Sequence, residues 1–577
     1  MLQKIVLLIL FLTLIIIGGC KNEIKINKPA NIEQFFKEVS IRDKKLDNNY
    51  KEQLRNWGRK VKKPDNKTII KYYEQYKTQK SKLLKKELEV LHSYNFANLT
   101  KQQRIYAKTV EWGLKVEQEE IQYYDYYPKI HSASLRLISA LRDFDINTKA
   151  DIKKYFAKIN ELKGRFYLDR ALIAKKKTQN IISSQRIVQN TIKQCRKLIF
   201  ISDVTKTEAY TRFAGQIENL NLTKKRAKQL LAKLENKLKT EICPLYQSYI
   251  GYLNQLPKSA SIEAGVCELP RGQEFYKFLL RRYTTTNLTP EQAFALAKKE
   301  VSKQKKQLVT ALTEAGYKNP IKNDLYFYNL KGEQIYFPYQ VMDKYKVLLA
   351  ETRERLPELF NQLPRTEVKV RKNKMQSSPA YYNQEKNSFY INPNNTPQSV
   401  YRIKHLIYHE ALPGHHFQLS IEAERNNKLD YQQDLYLGGY SEGWACYAEQ
   451  LAYEYQFYNT SIQKIKYLQG RLRVMMQTVV DIGINYKGWS LSEAHQYVKK
   501  TIGRLPKSNS YGRALFAPGQ WTTYGIGLLK VEHLRTKAKQ KLGAKFDIKE
   551  FHDVLLRNGK IPLAVLKKEV NNYIRQK

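Results

Sequence analysis

At 577 residues, with 42% hydrophobic and 27% charged residues, the chain can bury a large core and is too apolar to be disordered. The formal net charge is +47, but its lysines and arginines run along the whole length, with no basic arm and no nucleic-acid motif, which argues against a nucleic-acid binder. A solvated lysine-rich surface accounts for the charge, with residual attraction to anionic lipid or acidic cell-wall polymer.

The first element is a leader. Met1 to Lys4 are short and basic, Val6 to Ile17 almost wholly apolar, and Ile17-Gly18-Gly19-Cys20 closes the run. An apolar stretch this short followed by small residues reads as a signal peptide, residues 1–19, and not as a spanning helix. Its ending resembles a bacterial lipobox, which implies cleavage before Cys20, acylation of that residue and anchoring of the exported protein to the cell membrane or outer membrane. Residues 20–31 read as acylated cysteine and tether. Among the other cysteines, Cys195, Cys243, Cys267 and Cys446, no CxxC pair occurs, so a cysteine zinc site is not expected; Cys243 and Cys267 are candidates for a disulfide.

Residues 32–265 read as an N-terminal helical lobe. Apolar positions recur three and four apart, as in Ile152, Tyr155, Phe156, Ile159 and Leu162, and again in Ala227, Leu230, Leu231, Leu234 and Leu238. No constellation of catalytic residue types stands out there. Leu269-Pro270-Arg271-Gly272 signals a turn, and Asn287 or Thr289 is placed to cap a helix with Pro290 in its first turn. Residues 266–577 form the expected catalytic lobe. Val368-Lys369-Val370 and Phe389-Tyr390-Ile391 read as short strands, and helices resume from Val400. The expected class is mainly α with a small β element beside the motif region.

That motif is His409-Glu410-Ala411-Leu412-Pro413-Gly414-His415-His416, in a helical pattern beginning near Ser399. A zinc hydrolase needs neutral imidazoles to hold the ion and a carboxylate to act as base on water. The HExxH spacing is absent, because Pro413 stands four after His409. On a straight helix His415 would point about 600° around from His409, and His416 would sit about 10 Å further along the axis. Neither reaches one ion. Pro413 and Gly414 therefore imply a bulged or kinked turn that returns one of the two histidines, with His415 favoured over His416. His405, four before His409, makes a rival pair on a regular helix. The third ligand is expected from Ser441-Glu442-Gly443-Trp444-Ala445-Cys446-Tyr447-Ala448-Glu449, where Ser441 is a candidate cap and Glu442 and Glu449 share a face. Two histidines and a helix-borne Glu442 form a known zinc set.

These residues resemble a bacterial family known as domain of unknown function 885. The resemblance runs through Thr284-Thr285-Thr286, Pro379-Ala380-Tyr381-Tyr382, Phe389-Tyr390-Ile391-Asn392, Tyr408 to Gln418, Glu442-Gly443-Trp444, Val479-Val480-Asp481-Ile482-Gly483, Pro518-Gly519-Gln520 with Tyr524, and Phe546 to Leu563. It implies a mainly helical, zincin-like fold, a zinc site and peptidase activity. Three positions depart from the pattern: Asn485 and Gln477 replace the family's usual His and Arg around Asp481, and His405 is not usually His.

The resulting expectation is a membrane-anchored zinc metallopeptidase. His409, His415 and Glu442 hold Zn2+, and Glu410 is the general base. Tyr524 donates to the oxyanion, Arg513 binds a substrate carboxylate, and Tyr382 lines the cleft of a peptide substrate. Two other classes stay open: a metal hydrolase of non-peptide amides or esters, and a lipoprotein that binds metal or peptide without turnover. Glu410 beside the ligands argues against the last, since storage needs no base.

Overall fold

Polar caps start many of the helices. Asn31 accepts from the Gln34 amide, Thr100 with Gln103 and Thr289 with Gln292 form capping boxes, and Ser399 accepts from the Arg402 amide. The computed structural model describes residues 26–60, 63–127, 140–141, 144–199, 203–256, 263, 265–318, 320, 332–373, 380–393, 397–425, 430–503 and 511–577. The leader, Cys20 and the first part of the tether lie outside the described residues, as does Pro379.

The first helices are α1 (Ile32–Arg59), α2 (Asn66–His92) and α3 (Lys101–Glu120). Next come α4 (Lys149–Thr178), α5 (Gln185–Ile199), α6 (Glu208–Ile217), α7 (Lys224–Lys237), a π-helical turn (Leu238–Ile242) and α8 (Cys243–Asn254). The chain continues with α9 (Gly272–Thr284), α10 (Pro290–Glu314), β1 (Ile335–Tyr336), α11 (Pro338–Arg355), β2 (Lys369–Lys372), β3 (Ala380–Asn383), β4 (Ser388–Ile391) and β5 (Gln398–Ser399). Then follow α12 (Val400–Leu406), a second π-helical turn (Ile407–Ala411), α13 (His415–Ala423), α14 (Asp430–Asp434), α15 (Gly438–Glu454) and α16 (Ser461–Asn485). Last come α17 (Leu491–Ile502), α18 (Arg513–Phe516), α19 (Thr522–Leu542), α20 (Ile548–Leu556) and α21 (Leu563–Gln576). The fold is mainly α. Among the described residues no helix is long and apolar enough to cross a membrane.

The largest core joins α1 and α3 to the helices from α10 onward, through Phe35, Phe36 and Val110 on one side and Leu472, Val479 and Leu566 on the other. A second core lies within residues 141–253, where Tyr155, Phe166, Phe213 and Tyr246 meet, with Phe166 and Tyr246 edge to face at 4.7 Å.

The small β element has strand order β2-β4-β3. β2 runs parallel to β4 and β3 antiparallel to it, with Tyr382 opposite Phe389. The four residues of β3 carry no alternation longer than one pleat, so their sequence gives no strand signal. β1 and β5 pair antiparallel, and β5 runs straight into α12, so this element delivers the chain to the histidine motif. Two expectations need correction. Ser441 is not a cap, since α15 begins at Gly438 and the Tyr440 and Ser441 amides already donate to the Leu437 carbonyl. Cys243 and Cys267 are unpaired thiols.

Candidate metal centre

Helix α12 loosens just where the chemistry begins. The Leu412 amide donates to the Ile407 carbonyl at 2.9 Å, five residues back, which makes Ile407–Ala411 a π-helical turn. Pro413 has no N–H with which to continue the ladder, and α13 restarts at His415. Gly414 is required by close approach: a Cβ there would lie 2.0 Å from the His409 carbonyl oxygen. The Trp444 indole, from α15, donates to the Pro413 carbonyl at 2.9 Å and ties the break to the next helix.

This break brings His415 to His409. Their rings lie 5.0 Å apart at 89°. Both Nε2 atoms face Glu442 Oε2, each at 3.5 Å. Glu442 Oε2 is buried and, among the described residues, makes no well-formed hydrogen bond; the two imidazoles are its neighbours. Two nitrogens and one carboxylate oxygen thus lie within 4.8 Å of one another, a donor set that suits a zinc ion. Burial opposes charge on both types of group, yet Glu442 and Glu449 raise the His409 pKa well above the ordinary imidazole value, and His415 and His409 hold Glu442 below the carboxylate range. The cluster is complementary to positive charge.

His416 and His405 turn elsewhere. His416 is buried against the Tyr382 ring, 5.1 Å away, with Nδ1 3.2 Å from the Ser420 hydroxyl, and burial lowers its pKa to about 4. His405 Nδ1 contacts Glu449 Oε2 at 2.9 Å, and its ring stacks on Tyr401. Glu449 joins the two shells: its other oxygen accepts from His409 Nδ1 at 2.7 Å, which leaves His409 Nε2 as the atom facing Glu442. Glu449 lies seven residues after Glu442 on the same helix face, and that spacing signals a shared face but not the contact with His409. Cys446 lies near His409 and Glu449, but burial pushes its thiol pKa up, so it stays neutral.

Around the cluster, Glu410 Oε2 accepts from the Tyr382 amide at 3.1 Å. The Tyr382 hydroxyl instead donates to Asn387, so its backbone meets the carboxylate. Tyr524, in the first turn of α19, lies with its ring 6.4 Å from that of His409. Burial, then Glu442, raise its pKa, so the phenol keeps its proton. Arg513 is exposed and donates to Gln520 at 3.1 Å.

Asp481, in an apolar run of α16, is buried and accepts from Tyr276 at 2.7 Å and from the amides of Gly519 at 2.7 Å and Trp521 at 3.3 Å. Asn485 donates to the Asp481 and Ala514 carbonyls. Together they hold the Pro518-Gly519-Gln520 turn from which α19 and Tyr524 start. A lone carboxylate within Val479-Val480-Asp481-Ile482 was the sequence signal for such a role.

A family model for bacterial proteins of unknown function, DUF885, matches residues 52–570. The chain belongs to the DUF885 family. Two solved structures share the fold of this DUF885 protein. One is a candidate lipoprotein from Colwellia psychrerythraea, with 23% identity and a TM-score of 0.77 over 87% of this chain and 92% of that one. The other is a candidate lipoprotein of unknown function from Shewanella oneidensis, with 17% identity and a TM-score of 0.68 over 94% of this chain and 99% of that one. No match is found among curated proteins. Within this chain's His409-Glu410-Ala411-Leu412-Pro413-Gly414-His415-His416, the first and the penultimate histidines converge on Glu442.

Proposed function

We propose that this DUF885 protein is a zinc-dependent hydrolase of peptide bonds with a zincin-like catalytic architecture, held at a membrane face through acylated Cys20. The observation that carries the reading is the convergence of His409 and His415 on the buried Glu442 oxygen, with Glu410 next in sequence to His409. The lipobox-like leader supports the anchor, as do the two lipoprotein-like structural neighbours.

His409, His415 and Glu442 are the residues that would hold zinc. When bound, the ion activates water and polarises a carbonyl at neutral pH. Glu410, oriented by the Tyr382 amide, accepts a proton from the attacking water and passes it to the leaving amine. Tyr524, protonated and close to His409, donates a hydrogen bond to the oxygen on which negative charge develops. Arg513, exposed near this turn, pairs with a substrate carboxylate.

The test is a comparison of Glu410→Gln with the parent protein. The variant is expected to bind zinc one to one and to lose peptide hydrolysis by at least about a hundredfold. Full activity in the variant would remove Glu410 from the role of base.

A further inference from the structure

Far along the chain from the histidine motif, a cavity of about 670 Å³ opens between the end of α1, the middle of α4 and the π-helical turn before α8. The turn has a local cause. Pro244 cannot donate to the helix ladder, and the Cys243 amide donates to the Leu238 carbonyl, five residues back. This bulge sets Thr240 and Glu241 into the cavity wall.

The charge on this wall is unbalanced. Arg59, Lys60, Lys163 and Lys237 line it, with Glu241 as the acid. Lys163 and Lys237 share that one carboxylate, at 2.6 and 2.8 Å. Arg59 pairs with Glu52 at 3.1 Å. Two further cations stand at the edge: Lys63 over the Tyr167 ring at 6.0 Å, and Arg170, which donates to the lining Ser248 at 2.9 Å. Lys60, Lys63 and Arg170 have no ion-pair partner among the described residues. Glu161, one residue from the lining Asn160, is turned away into pairs with Arg55 and Lys158. Six cations therefore meet two carboxylates. Lys163 and Lys237 keep only 14% and 18% of their side chains exposed, so their ammonium groups are held in place and not freely solvated.

We propose that this cavity binds a phosphate-bearing anion. Clustered ammonium and guanidinium groups favour an oxyanion that accepts several charge-assisted hydrogen bonds at once. Tyr167 and Leu245 supply an apolar wall for an organic remainder. The volume suits a small organic molecule. Two sources share this chemistry: a soluble phosphorylated compound and a phospholipid headgroup. The tether joins α1 at Asn31, while the cavity lies at Arg59, about 42 Å along a 28-residue helix.

The experiment titrates the full chain, zinc-free and in neutral detergent, with inorganic phosphate and with dihexanoyl phosphatidylglycerol, read by calorimetry. Saturable binding of at least one probe is expected. Lys60→Glu/Lys63→Glu, on the accessible edge, is expected to weaken it at least tenfold, as is Lys163→Gln/Lys237→Gln. Tighter binding of phosphate identifies a soluble ligand, and tighter binding of the lipid identifies a headgroup. Either outcome upholds the site. No saturable binding of either probe, or wild-type affinity in Lys60→Glu/Lys63→Glu, overturns it.

Discussion

Glu449 never faces the atoms that converge at the centre, yet it fixes how they face. Its carboxylate accepts from His409 Nδ1 at 2.7 Å and contacts His405 on the other side, so the imidazole can neither flip nor change tautomer without losing a buried bond. Glu449→Gln is therefore expected to lower zinc affinity about tenfold or more while leaving the thermal unfolding of the zinc-free chain nearly unchanged. An unaltered zinc dissociation constant would reduce Glu449 to a packing residue. The adjacent histidines give a sharper contrast. His415→Ala is expected to lose stoichiometric zinc and His416→Ala to keep it, because His416 is buried against Tyr382 and Ser420. Zinc content by elemental analysis decides; the reverse pattern would exchange their roles. Residue types and spacing made His409, His415 and Glu442 legible in the sequence. The tautomer-fixing contact was not, because forty residues separate His409 from Glu449 and only tertiary packing joins them.

At the scale of elements, the centre depends on two crossings. α15, bearing Glu442 and Glu449, packs on α19, bearing Tyr524, with Gly443 against Gly527: a Cβ on Gly443 would lie 2.7 Å from the Gly527 Cα. Gly443→Ala forces these helices apart and is expected to cost about 1–3 kcal/mol, seen as a lower Tm, and to reduce turnover more than zinc binding. Unchanged Tm would show that the crossing yields freely. α20 meets α15 through His552, whose Nδ1–H donates to the Leu359 carbonyl at 2.8 Å and whose Nε2 accepts from the Tyr447 hydroxyl at 3.0 Å. Burial lowers its pKa to about 3, with the Arg535 charge acting in the same direction. The unfolded chain then binds the extra proton first. His552 thus contributes stability that is complete above about pH 6.5 and is lost as pH falls toward 3, at up to about 1.4 kcal/mol per unit. His552→Gln is expected to flatten the loss of stability between pH 6.5 and 4 in urea titrations; an unchanged slope would show that His552 is not the group responsible. Helix starts were readable at Thr289 and Ser399, where a side chain caps the first turn. The start of α15 was not, because it has no side-chain cap. The kink at Pro413-Gly414 was readable from the impossibility of a straight helix, whereas its π-helical form was not, since bulge and kink satisfy the same spacing.

Over the whole molecule, the mainly helical class follows from three-and-four periodicity, and the Colwellia and Shewanella structures share the fold. The way the chain is shared between cores was less legible. α1 and α3 pack with the helices that carry the histidine motif, while residues 141–253 build a core of their own, and amphipathic periodicity says that a face is buried but not against what. Six cations separated in the sequence, Arg59, Lys60, Lys63, Lys163, Arg170 and Lys237, meet in space at the cavity beside α1, which no linear pattern could reveal. A peptide-library digest read by mass spectrometry, with zinc-loaded protein, zinc-stripped protein and zinc-loaded Glu410→Gln side by side, tests most directly whether the protein is a zinc peptidase. Cleavage at defined bonds by the first alone, with one zinc per chain retained in the variant, is the expected result. Equal cleavage by all three, or none by zinc-loaded protein across the library, would contradict a zinc peptidase built on His409, His415 and Glu442.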